Sequence, residues 1–168
     1  MSERIIVSIE APEWRKVLPD AEDVARRAAH AALREGWPDT GPGGTELGIV
    51  LADDETLRHL NRDYRGHDRP TNILAFEQSP PAASDAGACH LLGDVFVSLG
   101  AAAREAPEQN KRLADHLTHL VVHGVLHLCG DGHAAPEEAA GMEARERFIL
   151  ARLGVADPYE AMDAAPAG

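Results

Sequence analysis

Five of the nine histidines in this 168-residue chain crowd into one stretch, His116-Leu-Thr-His119-Leu-Val-Val-His123-Gly-Val-Leu-His127-Leu-Cys-Gly130-Asp-Gly132-His133. At 100° per residue on a helix, His116, His119, His123 and His127 fall within an arc of roughly 80°. Leu113, Leu117, Val121 and Leu128 lie outside that arc. The stretch must therefore fold as a helix that sets an apolar side into a core and keeps a histidine stripe beside it. Gly130 tolerates the left-handed backbone that ends such a helix and reverses the chain. The spacing predicts a helix from about Lys111 to Cys129.

That stripe has the makings of a metal site. His123 and His127 stand one turn apart on one face and can share a single ion. A reversal at Gly130 would bring His133 back to the same point. Three neutral imidazoles leave a fourth tetrahedral position open, the arrangement of a catalytic zinc site, with one Zn²⁺ per chain expected at about 2.0–2.1 Å from the nitrogens. His116 and His119 lack a partner of defined geometry and are expected to support the site from behind or to pack. Cys129 lies two residues past His127, about 200° round the helix, so its thiol should point away from the metal. The spacing H-x3-H-x2-G-x2-H is also that of metzincin peptidases, in which a Glu follows the first His as general base. Here that residue is Gly124, which lowers the peptidase reading.

Around this helix the pattern predicts one domain that interleaves helices and strands. Residues 4–9 alternate and are β-branched, as in a strand. An Ala- and Arg-rich helix follows from Pro12 to Glu35, with a break near Pro19. Turn residues fill 36–44, and Leu47 to Ala52 read as a buried strand. Asp53 or Asp54 caps a helix to about Tyr64. Asn72 to Phe76 and Leu92 to Ser98 are two further strands, separated by a polar loop over 77–89. A helix over 100–106 should break near Pro107, and a last helix runs from Pro136 to Leu153. About four strands and five helices in one compact unit make an α/β (α+β) protein. The net charge of −12 argues against a protein that coats nucleic acid or binds anionic membranes. No apolar run spans a membrane, the N-terminus has no signal-peptide core, and two cysteines make no disulfide framework, so a reduced cytoplasmic setting is expected.

Three blocks of the sequence resemble one family. His123 to His133 is similar to the H-G-x-L-H-L-x-G-Y-D-H signature of the YbeY family of bacterial rRNA maturation endoribonucleases. Asn61-Arg-Asp-Tyr64-Arg65-Gly66-His67-Asp-Arg69-Pro70-Thr71-Asn72-Ile-Leu-Ala-Phe76 resembles its N-x-x-Y-R-x-x-D-x-P-T-D/N-V-L-S-F block. Leu92-Gly93-Asp94-Val-Phe-Val-Ser98 resembles its L-G-D-I-x-I-S strand. The resemblance covers about residues 45–155. It implies a mixed sheet, one Zn²⁺ on His123, His127 and His133, and cleavage of single-stranded RNA in 16S rRNA 3′-end maturation and ribosome quality control. Residues 1–155 are then the nuclease domain, and the acidic tail 156–168 is expected to fray. The alternatives are a metal-dependent peptidase of metzincin-like site geometry and a largely non-catalytic ribosome assembly factor.

Arg65 matches the family's functional arginine. Its guanidinium suits the charge that builds on a phosphodiester in cleavage. Arg58, Arg62, Arg65 and Arg69 form the one locally basic patch, with Arg58 expected to be a solvated helix face. In so acidic a chain, recruitment to the ribosomal subunit by basic ribosomal proteins would complement that patch. Asp94 could face the site or merely bond at a strand end. The family pair before the third histidine is Tyr-Asp, whereas this chain has Asp131-Gly132. The acid thus sits one position earlier, at Asp131, the residue placed to support a ligand from behind, and His133 is expected to be the least firmly held ligand.

Overall fold

The computed structural model describes residues 3–37, 43–78, 89–130 and 136–158. Ten elements follow one another: β1 (Glu3–Ile9), α1 (Glu13–Val17), α2 (Ala21–Gly36), β2 (Thr45–Ala52), α3 (Asp54–Arg65), β3 (Ile73–Glu77), β4 (His90–Ser98), α4 (Leu99–Glu108), α5 (Leu113–Leu128) and α6 (Pro136–Arg152). The strands form one mixed sheet in the order β1-β2-β4-β3. β1 and β4 run parallel to β2, and β3 closes the edge antiparallel to β4.

Alternation along the strands divides the side chains between two faces. Leu47, Ile49 and Leu51 of β2 and Val95 and Val97 of β4 enter the main core, which α2 and α5 complete with Ala25, Ala29, Leu117 and Val121. The intervening residues turn to the other face. There Leu57 of α3 packs on Ala52 and Leu74, with Phe76 and Phe96 alongside, in a second and smaller core. α5 is the central helix, touching α2, α4, α6, β3 and β4. Gly124 lets it lie close to the sheet: a Cβ there would stand 2.8 Å from both Ile73 Cδ1 and Val95 Cγ1.

Two helix boundaries fall beside prolines, where the sequence places them. The helix read over Pro12–Glu35 is broken as expected into α1 and α2, which makes six helices among the described residues where about five were expected. The break falls at Pro19, where Leu18 turns its amide back to the Trp14 carbonyl. The short α1 is pinned by the buried Trp14 indole, which donates to the Ala52 carbonyl at 2.9 Å. α4 ends one residue past Pro107, at Glu108. A proline in the last turn forfeits one intrahelical bond, and the amides of Gln109 and Lys111 close that end on the Glu105 and Ala106 carbonyls. Most of the loop read over 77–89 and most of the tail, residues 79–88 and 159–168, lie outside the described residues.

Candidate active-site cleft and its histidine row

α3 carries the first wall of the site. Asp53 caps it by accepting from the Thr56 amide at 2.9 Å, and Gly66 ends it in the left-handed conformation, φ 74°. Asn61 then ties down the returning loop by donating to the Arg69 carbonyl at 3.0 Å. This loop and β3 enclose, with α5, an open cleft of about 1090 Å³ lined by Tyr64, Arg65, His67, Arg69, Phe76, His123 and His127 among others. Arg65 and Arg69 of the basic patch and the histidine pair, far apart in sequence, thus share one cavity. Within the patch, Arg58 donates to Asp68 at 2.8 Å and Arg62 to Asp63 at 2.9 Å. Arg65 instead donates to the Ala75 carbonyl at 2.9 Å, its guanidinium carbon 5.8 Å from the Phe76 ring centre.

The histidine row runs from the core to this cleft. His116 is buried, 2% exposed. Its Nε2 lies 2.8 Å from Glu105 Oε1, and the same carboxylate accepts from the Asn72 amide at 3.0 and 3.3 Å. Burial pushes the His116 imidazolium below its ordinary range, against the opposing pull of Glu105. One turn on, His119 Nδ1 lies 3.4 Å from the Lys111 ammonium and Nε2 lies 3.2 Å from Glu146 Oε2. Both ring nitrogens of His119 are thus engaged, one by the Lys111 amine and the other by the Glu146 carboxylate.

His123 donates from Nδ1 to the other oxygen of Glu146, which leaves the lone pair on Nε2, the nitrogen a metal would take. His127 follows with its ring centre 5.5 Å from that of His123. Glu146 itself is wholly buried, and one carboxylate thus fixes two imidazoles. This donor set fits a divalent ion of zinc type. Among the described residues no group of three candidate ligands is present, and His133 and Asp131 lie outside them.

A family model described as Endoribonuclease YbeY matches residues 9–154. The chain belongs to the YbeY family. Proteins named Endoribonuclease YbeY share 51% identity over 92% of this chain and 94% of theirs in Paramagnetospirillum magneticum, and 48% over 84% and 88% in Halorhodospira halophila. In Rhodopseudomonas palustris the identity is 44% over 94% of this chain and 81% of the relative. A solution structure from Thermotoga maritima shares the fold, with a TM-score of 0.51, 20% identity, and coverage of 98% of this chain and 99% of that one.

Against the YbeY signature, the structure sorts the remaining expectations. Asp94 is separated from the histidines. Its neighbour Val95 faces α5, so Asp94 points to the opposite side of the sheet, beside Ser8, Glu46 and Gly48. Burial, and then the charge of Glu46, raise its carboxyl above the ordinary range. Cys129 is half-buried and packs on Gly36, 3.0 Å from where a Cβ would stand. Gly124, the position of the metzincin glutamate, faces Ile73 and Val95, so a longer side chain there would be driven into the sheet. Sequence reasoning missed Glu146 altogether. Its signal is an acid on an apolar stripe: Met142, Glu146, Ile149 and Leu150 recur at helical spacing and are all buried.

Proposed function

We propose that this chain is a zinc-dependent endoribonuclease that cleaves single-stranded RNA, acting in the cytoplasm on the 3′ end of the 16S rRNA precursor and in ribosome quality control. The observation that carries the reading is the shared cleft of Arg65, His123 and His127, in a family whose named relatives are endoribonucleases. One Zn²⁺ would be held by His123, His127 and His133. Bound there, such an ion supplies Lewis acidity and lowers the pKa of water.

The chain's own residues do the rest. Glu146 keeps His123 in the tautomer that presents Nε2. Arg65, braced on the Ala75 carbonyl, turns its remaining donors toward the phosphate oxygens, on which charge grows during cleavage. The guanidinium stays charged at any working pH, so this stabilisation needs no proton transfer. Basic ribosomal proteins are the partners that suit a chain of net charge −12.

The test is metal analysis of the purified protein, followed by cleavage of a single-stranded RNA with and without chelator. Stoichiometric zinc and chelator-sensitive cleavage are expected. A folded His127→Ala protein that still supports 16S maturation in cells would instead mean that binding, not cleavage, is the main work. Cleavage of casein but not RNA would favour a peptidase.

A further inference from the structure

We propose that Tyr64 is a stacking subsite for an unpaired base of the RNA, so that the cleft holds the bases of its substrate as well as the phosphates; this rests on the nuclease reading above. A single exposed apolar side chain is ordinary on a protein surface. Tyr64 is distinguished by where it is exposed. It is 72% accessible, more than Val17, Phe148, Ile6 or Leu91, yet it lines the same cleft as Arg65, His123 and His127.

Its ring is also braced. It meets Phe76 edge-on at 5.5 Å, and Phe76 meets Phe96 in the same way at 5.7 Å. Phe76 and Phe96 are themselves rooted in the small core under α3. A ring held in this way gives up little freedom when a base settles on it.

Electrostatics supply the second argument. Phosphate contacts normally dominate nucleic-acid affinity through counterion release. Here the net charge is −12, and Arg58 and Arg62 are already paired with Asp68 and Asp63. Arg65 and Arg69 are the patch residues in the cleft without an ion pair among the described residues. Such a site needs a contribution that does not depend on charge, and base–aromatic stacking is worth about tenfold per base. Stacking on a protein ring also requires a base whose faces are not buried in a duplex, which gives a physical basis for a single-strand preference. Tyr64 and Arg65, consecutive on α3, would then take a base and a phosphate respectively.

The experiment uses the full-length, metal-loaded protein and a fluorescein-labelled single-stranded RNA, with binding read by stopped-flow anisotropy before turnover. Tyr64→Ser should weaken binding about tenfold, and Tyr64→Phe should stay within about threefold of the parent. Abasic sites walked along the RNA should reveal one position where the parent loses the same factor and Tyr64→Ser loses nothing further. A Tyr64→Ser protein that binds like the parent, or that loses affinity equally for every abasic RNA, overturns the subsite. Cleavage is scored separately. RNA that binds with the stacking signature but is not cut would sink the nuclease reading and leave the subsite standing, whereas a parent that binds no RNA would overturn both.

Discussion

The two ends of the histidine row in α5 carry the same side chain on the same face of one helix, yet they are different chemical objects. His116 is buried, paired with Glu105, and biased toward its neutral form by burial. His123 and His127 open onto the cleft beside Arg65. The change happens over two turns, with His119 and Glu146 as the joint between them. What decides the role of an imidazole here is what lies beyond the helix: α4 at one end, the cleft at the other. If so, the two ends should fail in opposite ways.

The largest effect is expected at the open end. His127→Ala should cut cleavage by about 10³-fold or more, since a metal supplies several kcal/mol of transition-state stabilisation. Zinc content should fall with it, and the thermal stability of the metal-free protein should barely move. Unchanged zinc stoichiometry by mass spectrometry of the native protein would break the comparison at its strongest point. Arg65→Ala should cost about 10² in cleavage while leaving zinc content and melting temperature near those of the parent. Arg65→Lys should recover only part of that, because a point charge lacks the fork.

At the sealed end the pattern should reverse. His116→Ala removes a buried ring and leaves a cavity beside Glu105, which keeps its bonds from Asn72, so urea titration should show a loss of about 2–4 kcal/mol, with zinc affinity little changed. At the joint, Glu146→Gln keeps the shape of the side chain but loses the charge that orients two imidazoles. Competition against a chelating dye should show zinc affinity weakened by about 10–100-fold. A Glu146→Gln protein with full zinc affinity would mean that the joint is only packing.

The smallest effect is a pH dependence. His116 has its folded pKa pushed below the unfolded value of about 6.5 by burial, so its neutral form favours folding above that value. As pH falls through it, the unfolded chain takes up the proton first and stability declines. Glu105 and Lys111 face this ring, and His119 meets it edge-on. Urea midpoints of the parent should fall below about pH 6.5 more steeply than those of His116→Gln; parallel curves would place the titration elsewhere.

Much of this was legible in the sequence because it is local. The strands, the Asp53 cap, the α5 boundaries and the core role of Leu117 and Val121 follow from periodicity and end signals within a few residues. The mixed sheet and the meeting of Arg65 with His123 and His127 followed from the resemblance, since neither is a local property. Glu146 escaped notice because its partners lie on another helix, and nothing near it in sequence explains an acid on a buried stripe. Asp94 was ambiguous because a strand residue can face either side until its register is known. The pairing of β4 with β2 and β3 turns it away from α5.

The close seat of α5 on the sheet has a consequence for the ancestry open to such a site. The histidine spacing is one residue type away from a peptidase signature, and a single codon change could in principle supply the glutamate at 124. That change is opposed by packing as well as by chemistry. Ile73 and Val95 already occupy the space that even a Cβ would need, so a glutamate there requires those side chains or the helix to shift. A glutamate at 124 would thus have to displace two strand side chains before it could serve, and the histidine pair stays with the cleft that it now faces.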